Sequence, residues 1–266
     1  MARPHTPYRL FAALILMALL AVVFGRLGNW QLNRASERDA LKQVMETGRA
    51  QLPLALQADT PSAALQAWRP AQATGTWRHE FTVLLENRNY QGKPGYWVAT
   101  PLLLAGPSHA AVLVLRGWMP RPMRPGESQV PIPAPEGTQT IQGELLDRVP
   151  RLFELWSWSE QPATRLPTRL PDASTPLPKL QNLDLSDYAA ATGLTLLPTV
   201  LAQTQTTAGQ EAGADPLLRE WPDPMLDSDK NRGYALQWFG FMAIAIIVCI
   251  GLAWHLLRRV VRPTQK

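Results

Sequence analysis

Residues able to do chemistry are sparse in this sequence, and most stand alone. His79-Glu80 lacks the second His of a HExxH pair, so it does not read as a zinc motif. His79 is expected as an exposed polar residue between strands, and His109 falls in a predicted turn. Met119 and Met123 flank a proline-rich stretch. Thioethers suit copper(I), but two methionines beside a loop are ordinary packing residues. Ser157 and Ser159 have no GxSxG context. The single cysteine, Cys249, lies inside an apolar run. The rest of the chain therefore has no disulfide, thiolate metal site, CxxC redox pair or CxxCH haem attachment. No nucleophile–base pair or metal constellation emerges, and the chain is not expected to be an enzyme.

A denser set stands at the ends of two apolar runs. Trp30, Gln31 and Arg34 follow the first run; Tyr234, Gln237 and Trp238, with Phe241, open the second. Their spacing puts each set on one helical face. Two Gln, two Trp, a Tyr and an Arg would then line a cleft at the membrane's outer surface. Such a cleft suits a flat apolar ligand bearing carboxylates, with the rings stacking and Arg34 or Arg232 pairing the charges. The same residues also suit an aromatic belt with snorkelling arginines. His255 lies late in the second run. An ionisable group inside a membrane is a functional candidate, and imidazole is a common axial haem ligand. Alternatively His255 sits at headgroup level beside Trp254 and Arg258.

The runs themselves predict two transmembrane helices, at 10–28 and 236–257. No Asp, Glu, Lys or Arg occurs between Leu236 and Leu257, and a bilayer core takes about 20 apolar residues as helix. The first run has no Ala-x-Ala-like site after its apolar core, so it is expected as an uncleaved anchor. The net charge is +5, but the segments 1–9 and 258–266 hold six of the 26 Lys and Arg and none of the 21 Asp and Glu. The remainder is close to neutral, which excludes the basic folded patch a nucleic-acid binder needs. The same asymmetry places both tails in the cytoplasm and the 29–235 domain outside. A bacterial inner-membrane location, with that domain in the periplasm, is the expectation.

Within 29–235, residues 29–47 predict a helical lead-in continuing the first span, with Gly48 as its stop. Strands are predicted at Ala73–Trp77, Phe81–Leu85, Tyr96–Thr100, Ala111–Leu115, Gln139–Leu146 and Leu194–Gln203. The run Asn87–Gly95 reads as a turn, with Gly92 and Gly95 supplying positive φ. Pro120–Pro135 and Pro162–Pro178 read as extended surface loops, and Thr204–Gly213 as a mobile one. Asp184 and Gly193 bracket a short helix. Arg116 follows an apolar strand and would project from its end toward a carboxylate of the domain or of a partner. The fold class is a mainly β, barrel- or sandwich-like α+β domain flanked by two transmembrane helices.

Several blocks together carry a resemblance: Leu27–Arg34 with Glu37, Gly75-Thr-Trp77, Asn87-Arg88 with Gly92 and Gly95-Tyr96, Thr100-Pro-Leu102, and Val112–Trp118. Asn182-Leu-Asp184, Pro198 with Gln203, and Gly233–Trp238 continue it. In this order, between two spans, they resemble the Surfeit locus protein family of cytochrome c oxidase biogenesis factors. The resemblance implies an assembly factor whose partners are oxidase subunits and other assembly factors. It also implies haem a as a transient ligand during maturation of the largest subunit. Trp30, Gln31, Arg34, Tyr234, Gln237, Trp238 and His255 are then the candidate haem or partner residues, with Arg116 and Trp118 candidate partner contacts. Three positions depart from the family pattern: Asn231 for a usual His, Leu115 for Asn and Leu180 for Trp. Without a His at 231, iron ligation would need His255 or a weaker mode. The alternative function is a membrane-anchored extracytoplasmic scaffold or ligand-binding protein not tied to the oxidase.

Overall fold

The computed structural model describes residues 6–106, 109–124, 128, 130–152, 166–172, 177–205, 215–224 and 226–261. Ser157, Ser159, residues 162–165 and 173–176 of the Pro162–Pro178 run, and all but the first two residues of Thr204–Gly213 lie outside them. The chain separates into two compact units, Met1–Gln43 with Pro224–Lys266, and Val44–Asp223.

The first unit consists of two long helices, α1 (Thr6–Arg49) and α3 (Ser228–Val261); the last turns of α1 belong to the second unit. At about 1.5 Å per residue, each is longer than the roughly 30 Å a bilayer core requires. Both are apolar enough to cross a membrane. Their apolar side chains face outward: Leu19 is 59% and Ile247 is 68% exposed. A water-soluble pair would bury such residues, so two membrane passes fit this surface.

The helices meet along a narrow seam. On α1, Phe24, Gly28, Gln31, Ala35 and Arg38 turn inward; on α3, Ser228, Asn231, Ala235, Trp238, Met242, Ala245 and Cys249 do. Spacings of three and four alternate, the 3.5-residue period of a coiled-coil seam. Small residues permit close approach. A Cβ at Gly28 would stand 2.7 Å from the Phe239 ring, and one at Gly25 would meet the Met242 sulfur at 3.0 Å.

The second unit is a sheet of eight strands: β1 (Leu54–Leu56), β2 (Pro70–Trp77), β3 (Val83–Tyr90), β4 (Lys93–Leu104), β5 (Ala110–Pro120), β6 (Thr138–Leu146), β7 (Lys179–Leu180) and β8 (Thr195–Gln203). Their order is β1-β2-β6-β8-β5-β4-β3-β7, and β2 also pairs β4. The pairings β2–β6–β8–β5–β4 thus return to β2. Central strands are buried on both faces. On β5, Val112 and Val114 enter a core with Trp77, Leu102, Ile141 and Leu201, while Leu113 and Leu115 enter one with Trp97, Leu180 and Val200. That double burial makes β5 a continuous apolar run.

A short helix, α2 (Leu185–Thr192), packs on the second core through Tyr188 and Ala191. Asp184 caps it by accepting from Ser186 N, and Gly193 closes it at φ 69°. The Tyr188 hydroxyl, fully buried, donates to Phe81 O.

Local expectations need correction at four places. The strands continue through the Asn87–Gly95 run, leaving only Gln91-Gly92 as the turn. Gly92 has φ 78°, but Gly95 serves close packing instead: a Cβ there would fall 2.3 Å from Met119 O and 2.4 Å from the Trp118 ring. Helix α1 runs one residue past Gly48, whose missing side chain admits Ala67 O and Trp68. Arg116 lies inside β5, not at its end. The β4–β5 register shifts between Val98 and Ala99, so Arg116 is the extra residue of a bulge beside Gly117, a device that re-aims a side chain.

Candidate functional site

The first unit brings a polar clasp and an apolar groove together on neighbouring turns. Asn231 Nδ2 donates to Gln31 Oε1 at 2.7 Å, and Arg38 Nη1 donates to Asn231 Oδ1 at 2.7 Å. Arg38 also reaches the Asp227 carbonyl at 2.8 Å. At the next residue of each helix, Arg232 pairs with Asp39 at 2.6 Å, and it also pairs with Asp229 at 3.1 Å. The Asp227 carboxyl is held below its usual range by Lys230, which hydrogen-bonds to it. Both ends of the Asn231 amide are engaged across the seam, so the side chain works as an interhelical link.

Past the clasp, Phe24 stacks on Trp238 with ring centroids 5.8 Å apart, and Phe241 closes on both rings at 5.7 and 6.0 Å. These rings line an open groove of about 290 Å³ with Met17, Leu20, Ile244 and Ala245. Aromatic faces and aliphatic walls suit a planar apolar molecule or an extended hydrocarbon chain.

The expected cleft is assembled only in part. Gln31 and Trp238 sit in the seam. Trp30 (54% exposed), Arg34, Tyr234 (55% exposed) and Gln237 face outward. The reason is register: the seam follows Phe24, Gln31 and Arg38, whereas Trp30 and Arg34 each lie one position off it. Arg34 pairs with Glu37 at 3.0 Å on the surface. His255 is exposed near the other end of α3, and Arg258 stacks over Trp254 at 4.8 Å. Phe24, Arg38, Asp39 and Asp227 were not singled out by spacing from the apolar runs. A heptad count from Gln31 and Asn231 finds the first two and Trp238.

In the second unit, Arg116 and Trp118 are 2% and 4% exposed. Arg116 lies 4.8 Å over the Trp77 ring and donates to Pro133 O at 2.6 Å. Burial pulls its guanidinium down to about 10. Trp118 Nε1 donates to Arg88 O at 2.7 Å. Neither side chain forms an open contact surface, which corrects the expectation of projecting partner residues. Arg88 repeats the arrangement: it follows a β3 register shift, lies 4.4 Å over Trp97, and donates to Pro150 O and Gln181 O. Burial pulls it to about 10 as well. His79 is half-buried in a 3-10 turn, not exposed between strands, with Nε2 hydrogen-bonded to Pro135 O at 3.2 Å. Desolvation holds it below the usual imidazole range. His109 is exposed beside β5 at φ 48°. Met119 is fully buried packing, and Met123 is 65% exposed.

A cleft of about 250 Å³ in the same unit is walled by Trp68, Trp97 and Trp221. Arg49 spans its rim, paired with Glu144 at 2.8 Å and Asp223 at 2.6 Å and lying 5.5 Å over Trp68. These hydrogen bonds raise the Arg49 guanidinium above its ordinary value.

Compared with known families, residues 18–243 match the model described as the SURF1 family. No curated protein matches the chain.

Proposed function

The chain belongs to the SURF1 family, and from that premise we propose a membrane-held, non-catalytic factor assisting haem a insertion into the largest subunit of cytochrome c oxidase. Family membership carries the role in cytochrome oxidase assembly; the haem a step is the finer part of the proposal. The observation carrying it is the match itself, which takes in most of α1, the whole β unit and the start of α3. Oxidase subunits and other assembly factors are the partners. Both tails lie in the cytoplasm and the β unit in the periplasm, as the charge asymmetry favours.

The Phe24–Trp238–Phe241 groove supports the haem a reading. Its apolar walls fit the faces or the hydrocarbon tail of a planar cargo. Among the described residues no histidine lines the groove: Asn231 is committed at both ends, and His255 stands 24 residues farther along α3. At about 1.5 Å per residue that separation is several turns of helix. The chain would hold its cargo by ring stacking on Phe24, Trp238 and Phe241 and by contact with the aliphatic walls of the groove. Trp30, Arg34, Tyr234 and Gln237, exposed around the clasp, are available to that subunit.

Restoring the gene as Trp238→Ala to cells that lack it tests the proposal. The expected result is oxidase content lowered severalfold at unchanged abundance of the factor. Unchanged oxidase content would remove the groove from the account.

A further inference from the structure

The second unit contains buried N–H donors that no protein acceptor meets among the described residues: Arg116 Nε and Nη1, Trp77 Nε1, Arg219 Nε and, over the Trp97 ring, Arg88 Nε. The first four belong to one neighbourhood. The Arg116 guanidinium lies over the Trp77 ring, and Asp215 and Arg219 both act on its charge. Asp215 is the ion-pair partner of Arg219, whose side chain is 9% exposed. The bridge between Trp118 and Leu218, and the contact of Gly117 with Leu217, bring this pair alongside β5.

This arrangement is costly as it stands. A buried donor without an acceptor gives up its hydration with nothing in return, and a charged one gives up more. The fold nevertheless aims Arg116 inward through a bulge. Gly117 makes that possible at φ 152°, where a Cβ would meet Leu217 Cβ at 2.8 Å. The covering stretch 130–136 is rich in proline, which removes backbone donors. Side chains hold it instead: Arg116 binds Pro133 O, His79 binds Pro135 O, and Gln139 binds Glu136 O. Val130 and Ile132 anchor its start on the Leu84, Tyr96 and Met119 cluster, and the hydrogen bonds from Arg116 and His79 meet its later part.

We propose that Arg116, Trp77 and Arg219 form a carboxylate-binding site, closed in this structure by the 130–136 stretch. A carboxylate oxygen accepts from several N–H groups at once, and guanidinium is its strongest side-chain partner. A single added negative charge balances the second guanidinium. The site lies in the β unit and does not depend on the groove or the haem a reading.

The test is a titration of the purified full-length protein in detergent with sodium formate and acetate, at constant ionic strength. The indole Nε1–H resonance of Trp77 is followed, assigned by its loss in Trp77→Phe. A saturable shift at millimolar formate or acetate is expected. It should weaken at least about tenfold in Arg116→Lys, which keeps the charge but loses the planar donor set. Melting temperature supplies a second readout: acetate should raise it in the parent and less in Trp77→Phe. A shift that chloride or phosphate reproduces overturns the assignment to carboxylate. So does a linear, unsaturated shift, or a response unchanged in Arg116→Lys.

Discussion

Asn231 shows how one residue's chemistry depends on what faces it. Its amide donates to Gln31 and accepts from Arg38, joining two helices 200 and 193 residues apart in sequence. In an apolar surrounding such links act as glue. Asn231→Leu should lower stability by about 1 kcal/mol, measured as thermal unfolding in detergent. The double replacement with Gln31→Leu should cost less than the two single changes added, because both remove the same bond. Strict additivity would show that the clasp is not a coupled unit. The clasp's members were partly legible in the sequence: Gln31 stood out as polar beside an apolar run. Arg38 did not, since a charged residue on a helix is usually solvated. The place of Arg116 is hidden for a related reason. Its position after an apolar strand suggested a projecting charge, and only the β4–β5 bulge turns it into the interior.

At the scale of the element, α2 and the helix pair each rest on identifiable local chemistry. The Asp184 carboxyl accepts from Ser186, which depresses it below the usual carboxylate range. Depression of a carboxyl means that its stabilising effect is full above the ordinary range and is lost as pH falls through the lower folded value. Asp184→Ala should cost about 1 kcal/mol at neutral pH and flatten the acid limb of the unfolding curve. Asp184→Asn should keep most of the cap while also flattening that limb. Unfolding curves recorded between neutral and acid pH check both outcomes; an unaltered acid limb in both variants would contradict the assignment. For the helix pair, Gly28→Leu places atoms where the Phe239 ring lies. It should separate the seam and lower the protein's abundance in membranes, read by immunoblot, while Gly240→Leu, which meets nothing within 4 Å, should not. The α2 boundaries and most strands followed from caps, turns and alternation. The strands β1 and β7, three and two residues long, carry too little pattern to be read locally. They exist because neighbouring strands offer an edge to pair with.

For the whole molecule, two long apolar helices at the ends of a mainly β unit were legible in hydropathy and strand spacing, which left barrel and sandwich open. The ring of pairings was not, because β2 meets β4 and β6 through contacts that no local pattern encodes. Nor was the Trp68, Trp97 and Trp221 cleft, whose three indoles come from separate parts of the chain. The functional account rests on family membership, with the groove as its physical support. The most direct measurement is a reduced-minus-oxidised absorbance spectrum of membranes from cells lacking this gene, beside the parent strain. The account predicts selective loss of the a-type haem band while b- and c-type bands persist, with recovery when the gene is restored. An a-type band of parental intensity in the deletion strain would contradict a required role in cytochrome oxidase assembly.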